Sequence, residues 1–98
     1  MFLGAYHSDG DPDALMAGYW RLRDAIPTSS LRLHVCIRRP AGITVLDMCP
    51  SETAFASFST GASFVEARRA AGLPEPRVEA LGEVVSVVAT PMVGTVPR

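Results

Sequence analysis

The chain contains one segment, residues 31–39 (LRLHVCIRR), in which apolar and polar side chains alternate. Because successive side chains of a strand point to opposite faces of a sheet, this alternation predicts a β-strand with one apolar face and one polar face. The residues RPAGIT at 39–44 predict a hairpin turn, and ITVLDMC at 43–49 predicts the next strand. Since an isolated hairpin is marginally stable at best in water, these residues require a larger sheet with a covered face.

The first quarter of the chain predicts a strand followed by a helix. A mostly apolar run at 1–7 is bounded by SDGDP and predicts the first strand. The helix is predicted over 11–27, with Asp11 as its cap and Pro12 at its first position. One apolar stripe at helical spacing is expected to face the sheet, formed by Leu15, Tyr19, Leu22 and Ile26.

The second half of the chain predicts a helical region and a final strand. Ser51 suits the N-cap of the second helix, and Gly61 is expected to break or kink that helix. The sequence AAGLPEP predicts its end, with Gly72 in the left-handed conformation and the following leucine packing back. Residues 77–89 (RVEALGEVVSVVA) predict the fourth strand, with a bulge near Gly82.

The order strand, helix, strand, strand, helix, strand is the βαββαβ pattern of ferredoxin-like α+β domains. We therefore expect one domain over 1–89, with a four-stranded antiparallel sheet and its helices on one face, and a tail over 90–98. The VVSVV segment at 84–88 is apolar on both faces of the predicted strand. Because the helices cover only one face, we expect a second copy of the sheet to cover the other, which gives a homodimer.

Composition restricts the partners and the location that we expect. The net charge is −1 and the charges are interspersed, so neither nucleic acid nor an anionic membrane is an expected partner. No apolar run approaches the roughly 20 residues of a membrane span, and the N-terminus lacks the pattern of a signal peptide. We expect a cytoplasmic protein whose two cysteines are thiols. All nine basic residues are arginine, which suggests a GC-rich bacterial genome.

The polar face of the hairpin is the first candidate site. A two-residue turn at 41–42 would place Cys36 opposite Asp47 and His34 opposite Cys49. Cysteine, histidine and aspartate are metal-ligating residue types, but this spacing matches no recognised zinc motif. A disulfide between the diagonal cysteines would be strained. A cysteine nucleophile would need His34 as an activating base.

Two further interpretations of the polar face remain open. The simpler one is a structural cluster that meets the partner subunit, in which Arg38 or Arg32 neutralises Asp47 and His34 forms hydrogen bonds across the interface. The other places His34 at the wall of a ligand cavity. We expect no metal site, and we expect the structural cluster in preference to the cavity.

Aromatic residues form the second candidate site, between the sheet and the helices. Aromatic walls with a few polar groups are typical of a small-molecule pocket, although a stripe at helical spacing is more often core. His7 follows the first strand and would suit proton transfer if it lines a cavity. The residues concerned are Tyr6, Tyr19, Trp20, Phe55, Phe58 and Phe64.

The segment LDMCPSETAFASFSTGASFVEARRAAGLPEPRVE, at 46–79, resembles small bacterial proteins of the dimeric α/β-barrel superfamily. In this superfamily, which includes the antibiotic-biosynthesis monooxygenase-like proteins, two ferredoxin-like domains pack sheet to sheet. The resemblance implies an α/β-barrel dimer and, among several activities, a cofactor-independent oxygenase. It does not extend to the haem-degrading members, which have an asparagine in their first strand, because this chain contains no asparagine.

We therefore carry two hypotheses for the function. The first is a dimer that binds or transforms a small apolar or aromatic metabolite without a cofactor, with His34 or His7 as proton acceptor, and that could act as a cofactor-independent monooxygenase. The second is a non-catalytic dimeric structural or interaction module. An enclosed cavity above roughly 300 Å³ would favour the first hypothesis. The residues expected to contact the ligand are Tyr6, Tyr19, Trp20, Arg38, Asp47, Phe55, Phe58 and Phe64.

Overall fold

A four-stranded antiparallel sheet with three helices forms the protein in a computed structural model that describes residues 1–26 and 32–89. The strand order is β2-β3-β1-β4, which is compatible with a ferredoxin-like α+β fold. Residue 31, predicted to begin the second strand, and the predicted tail at 90–98 lie outside the described residues. The elements are β1 (Phe2–Asp9), α1 (Pro12–Ala25), β2 (Leu33–Arg39), β3 (Gly42–Cys49), α2 (Glu52–Thr60), α3 (Ala62–Ala70) and β4 (Arg77–Glu83).

The helix boundaries follow local signals in the sequence. Asp11 is the N-cap of α1 as predicted, although its side chain makes no capping hydrogen bond. Ser51 caps α2 through its hydroxyl, which accepts a hydrogen bond from the backbone N–H of Ala54 at 3.1 Å. Gly61 has an extended conformation (φ −68°, ψ 145°) and separates α2 from α3, so the predicted break is confirmed.

The end of α3 confirms the predicted glycine stop. Gly72 has φ +77°, in the left-handed region that glycine adopts without strain. Its N–H donates to the carbonyl of Arg69, and the N–H of Leu73 donates to the carbonyl of Arg68, which is the Schellman pattern. Leu73 then packs against α1 so closely that a Cβ at Gly18 would lie 2.7 Å from the Leu73 Cδ2 atom.

The helices pack on one face of the sheet through two clusters of buried residues. Gly4 in β1 leaves room for the ring of Phe55, because a Cβ at this position would overlap the ring. One cluster contains Phe2, Tyr6, Phe55 and Phe64, and the other contains Leu15, Tyr19 and Ile43.

The hairpin turn falls at residues 40–41, one position earlier than predicted. The pairing therefore moves by two residues, and His34 lies opposite Asp47 instead of Cys49. Gly42 belongs to β3 and pairs with Asp9 of β1. Because a Cβ at Gly42 would overlap the backbone carbonyl of Ser8, only glycine fits this close approach of the two strands.

The fourth strand is shorter than predicted. The register between β1 and β4 shifts where Leu3 pairs with Gly82 and Gly4 pairs with Ala80, which confirms the bulge. However, β4 ends at Glu83, and residues 84–89 belong to no helix or strand. The expectation that the VVSVV segment forms part of the strand is therefore wrong for the single chain. Val85 and Val88 are 94% and 97% exposed.

The two faces of β2 lie opposite to the expected arrangement. Its apolar side chains point away from the helices, and Leu33, Val35 and Ile37 are 37–41% exposed. Its polar face packs under α1, where His34 contacts Tyr19 and Cys36 contacts Met16. The interpretation that the polar face meets a partner subunit is therefore wrong, because α1 of the same chain covers it.

Candidate functional site

A pocket lies between the helices and the side of the sheet that they cover. Its walls are mainly apolar and come from every layer of the fold, including Ile43 and Val45 of β3, Phe64 of α3 and Leu73. The pocket is partly open and its interior volume is about 70 Å³. That volume is below the roughly 300–1,000 Å³ typical of ligand sites, so a molecule inside must be small or extend out of the opening.

Three polar side chains form a hydrogen-bonded chain at the wall of this pocket. The hydroxyl of Tyr19 lies 2.6 Å from Nε2 of His34, and Nδ1 of His34 lies 2.5 Å from Oδ1 of Asp47. The rings of Tyr19 and His34 are stacked, with centroids 5.9 Å apart. Asp47 is 5% exposed, so its carboxylate has little contact with solvent. All three residues line the pocket.

The direction of the hydrogen bonds depends on the protonation of the phenol and of the imidazole together. Burial raises the pKa of Tyr19 to about 12, so the hydroxyl keeps its proton at neutral pH. With a neutral imidazole, the Tyr19 hydroxyl donates to Nε2 of His34, and the Nδ1–H of His34 donates to Asp47. This arrangement resembles the ordering of a catalytic histidine by a buried aspartate.

The second tyrosine of the pocket is held differently. The Ser59 hydroxyl donates to the carbonyl of Phe55 at 2.8 Å, so the Tyr6 hydroxyl is the donor in its 2.8 Å hydrogen bond with Ser59. Burial raises the pKa of Tyr6, which keeps this phenol protonated. Tyr6 therefore has the same chemistry as Tyr19 but no base as its partner.

Two arginines also line the pocket, and neither was among the predicted site residues. Arg68 is buried on α3, and its guanidinium donates to the carbonyl of Leu73 at 3.4 Å. Arg23 on α1 lies close enough to lower the pKa of Tyr19 against the effect of burial. Each arginine lies four positions after a pocket aromatic residue, Phe64 or Tyr19. Since residues at i and i+4 share a helix face, this spacing is a signal that could have identified both.

The structure brings six of the ten predicted site residues to the pocket. His7 lies on the opposite face of the sheet, where it contacts Thr44 at 3.0 Å and Glu79 at 2.8 Å. The residues that line the pocket are Tyr6, Tyr19, His34, Asp47, Phe58 and Phe64.

Besides His7, three of the predicted residues lie outside the pocket lining. Arg38 forms an exposed ion pair with Asp13 at 2.7 Å. Phe55 is 3% exposed and belongs to the core. Trp20 packs edge-on against Tyr19, with ring centroids 5.2 Å apart.

Neither cysteine has the environment of a nucleophile. Both are free thiols, and burial raises the pKa of Cys36 to about 11 and also raises that of Cys49. A thiol with a raised pKa carries little of the reactive thiolate at neutral pH. In the described part of the chain, no hydrogen bond joins either thiol to His34, and no three His, Cys, Asp or Glu side chains are grouped to hold a metal ion.

Comparison with known proteins adds no assignment to these observations. No protein-family model matches the chain, and no curated protein matches it. The likeness to the dimeric α/β-barrel superfamily therefore stays a prediction. Among residues 1–26 and 32–89, no helix has both the length and the apolar composition needed to cross a membrane.

Proposed function

We propose that the protein binds a small apolar or aromatic molecule in this pocket and that Tyr19, His34 and Asp47 transfer a proton to or from it. The observation that supports this function best is the hydrogen-bonded chain of these three residues at the wall of an apolar pocket. Buried polar groups are costly unless they are paired, and here the pairing produces an ordered base next to the pocket.

The proton passes from the ligand through Tyr19 to His34, and Asp47 stabilises the charge that forms on His34. The ligand gives a proton to the oxygen of Tyr19 while Tyr19 gives its own proton to Nε2 of His34. The phenol is thus restored, the ligand is left as an anion, and the positive charge on the imidazolium is stabilised by Asp47. The reverse sequence returns the proton to the ligand at another position, which completes an isomerisation without a cofactor.

The oxygenase expected from the resemblance is a narrower version of this function. A ligand anion formed in this way could transfer an electron directly to oxygen, but the residues of the pocket do not distinguish this reaction from a simple proton shift. The cofactor-independent monooxygenase therefore stays a prediction. The small interior, about 70 Å³, favours a second candidate, the non-catalytic dimeric module.

Hydrogen–deuterium exchange tests the proton-transfer function. The probe is 2-indanone, an aromatic ketone with acidic C–H bonds, and its ¹H NMR signal is followed in D₂O with the full chain. We expect exchange above the buffer rate with the wild type and an approximately 100-fold loss in Tyr19→Phe and His34→Gln. Tyr6→Phe is the matched control and should retain the exchange, because Tyr6 has serine and not histidine as its partner.

The outcomes of this experiment test the role of the Tyr19–His34 pair and separate the two candidate functions. Equal losses in Tyr6→Phe and Tyr19→Phe would contradict the role of the Tyr19–His34 pair. Binding of the ketone without any exchange above buffer would favour the non-catalytic module. Binding is followed in the same samples through the amide shifts of pocket residues.

We also propose that the chain is a homodimer that buries the open face of its sheet. This face presents Leu33, Val35 and Ile37 of β2, each more than one-third exposed. Exposed apolar residues that adjoin one another are typical of an interface, and a second copy offers a surface of the same chemistry.

Sedimentation velocity tests the dimer at micromolar concentration. We expect a dimer for the wild type and a monomer for Val35→Lys, because a lysine at the centre of the apolar face would be desolvated without a partner. Ser57→Lys places the same charge on an exposed position of α2 and should leave the dimer intact. A monomeric wild type would refute the proposed dimer.

A further inference from the structure

Resting on the function proposed above, we propose that the pocket selects molecules that carry a carboxylate group and that Arg68 binds this group. Arg68 lies on α3, lines the pocket and is 9% exposed. Within residues 1–26 and 32–89, no carboxylate forms an ion pair with it. A buried guanidinium of this kind indicates a ligand that brings the missing negative charge.

Within the described part of the chain, hydrogen bonds occupy few of the N–H donors of the Arg68 guanidinium. An arginine side chain has five N–H donors, and in the described part of the chain Arg68 donates to the carbonyl of Leu73, at 3.4 Å. Burying a charged group is unfavourable unless the group is paired and hydrogen-bonded. The planar fork of an arginine matches the two oxygens of a carboxylate, so one bound ligand would supply both the charge and the acceptors.

A role in stabilising the end of α3 does not account for this burial. Cations in the last turn of a helix interact favourably with its dipole from the surface. Arg69 occupies the same last turn and is exposed, so it can perform that role in water. Arg68 instead points into the pocket, four positions after Phe64, which also lines it.

The other charges at the pocket also favour an anion. The ionisable groups that line it, besides the two tyrosines, are Arg23, Arg68, His34 and Asp47. Asp47 accepts the hydrogen bond from His34, whereas Nε of Arg23 is buried and has no partner among the described residues. With a neutral imidazole, two positive charges therefore face one negative charge. The apolar walls around them indicate a small aromatic or aliphatic monocarboxylate as the ligand class.

Binding of three related probes tests this selection. Benzoate, benzamide and benzyl alcohol share one ring and differ in the charge of the substituent, and their affinities are measured by NMR titration of the full chain. We expect benzoate to bind at least about tenfold more tightly than benzamide, because hydrogen bonds between charged groups are stronger than neutral ones. The perturbed amides should include those of the pocket residues Phe58 and Phe64.

Variants of two adjacent arginines assign the preference. Arg68→Gln should remove the preference for benzoate, whereas Arg69→Gln, its exposed neighbour, should retain it. Arg68→Lys keeps the charge but not the planar fork, so it should retain part of the preference. If Arg68→Gln does not fold, a weaker preference for benzoate in Arg68→Lys than in Arg69→Gln would assign the carboxylate binding to Arg68.

The possible results distinguish this inference from the proposed function. Equal binding of benzamide and benzoate would overturn the carboxylate selection and leave the proposed function standing. A benzoate preference that persists in Arg68→Gln would overturn the assignment to Arg68. If none of the probes binds at millimolar concentration, the carboxylate selection is wrong, whereas the proposed function is decided separately by the exchange of 2-indanone.

Discussion

Replacing Asp47 with alanine tests whether the polar chain of the pocket is an integral part of the fold. Asp47 is 5% exposed and accepts the hydrogen bond from Nδ1 of His34. Hydrogen bonds to charged groups contribute about 1.5–3 kcal/mol, and a buried partner left unpaired adds its own desolvation penalty. We therefore expect Asp47→Ala to lower the free energy of unfolding by about 2–3 kcal/mol.

The loss is measured by urea unfolding, followed through the fluorescence of Trp20, the only tryptophan of the chain. For a domain of this size, a change of about 2 kcal/mol also lowers the melting temperature by roughly 8–16 °C. The matched control is Asp13→Ala, which removes an ion pair with Arg38 at 2.7 Å whose aspartate side chain is 80% exposed. Exposed pairs contribute between about 0 and 1 kcal/mol, so this variant should remain close to the wild type.

Equal losses in Asp47→Ala and Asp13→Ala would refute the reasoning, because burial would then make no difference. A double-mutant cycle with His34→Ala adds a second criterion. If the loss of the hydrogen bond causes the destabilisation, the losses of unfolding free energy in the two single variants should differ from additivity in the double variant by about 0.5 kcal/mol or more. Residues in one hydrogen-bond network couple by at least this amount. Asp47→Asn keeps an acceptor oxygen and provides a folded reference if the alanine variant is unstable.

Two other substitutions give outcomes whose sign is decided by the structure. Gly18→Ala in α1 should lower the free energy of unfolding by about 1–3 kcal/mol, because the new Cβ would lie 2.7 Å from the Cδ2 atom of Leu73. The same change at an open helix position raises the free energy of unfolding. A higher free energy of unfolding in urea for this variant would contradict the packing of Leu73 against α1. Burial raises the pKa of Cys36 from 9.0 to about 11 and that of Tyr19 from 10.0 to about 12, so the native state holds these protons longer than the unfolded state. The stability that these protonated groups provide is complete below pH 9 and is lost between about pH 9 and 12. In Cys36→Ala, the free energy of unfolding should fall less between pH 9 and 11 than in the wild type. A wild-type free energy of unfolding in urea that stays constant across about pH 8–11 would contradict this prediction.

The elements that the sequence predicted correctly are those with a local signal. The proline at the first position of α1, the serine cap of α2, the break at Gly61 and the left-handed Gly72 each depend on residues within one turn of the feature. These signals needed no knowledge of the rest of the chain. The predicted helices and the bulge in β4 therefore agree with the structure.

The hairpin register could not be predicted in the same way. Because side chains alternate with a period of two, moving the pairing by two residues leaves every side chain on its original face. The alternation thus predicted that His34 and Asp47 share a face but not that they lie opposite each other. Gly42 lies in β3 and not in the turn, and its lack of a Cβ admits the carbonyl of Ser8, in a strand more than thirty residues earlier, so this contact could not be predicted from the hairpin residues alone.

The candidate site was predicted in part, for a related reason. The aromatic stripe gave Tyr19 and Phe64, since apolar residues at helical spacing indicate a buried face. The same rule treats an arginine as an exposed residue, so Arg23 and Arg68 were missed although they continue that face by one turn. A charged residue four positions from a core aromatic residue becomes informative only when its burial is known.

The orientation of β2 links the pocket to the proposed dimer. Packing alone would favour the apolar side chains Leu33, Val35 and Ile37 under α1, yet the structure places His34 and Cys36 there and leaves the apolar ones partly exposed. A chain selected only for the stability of its monomer would gain by the opposite arrangement. Departures of this kind are expected where function competes with stability. Both departures arise from the one alternating strand, because the face that places His34 at the pocket leaves the apolar face exposed, and that exposed face is the surface the proposed dimer would bury.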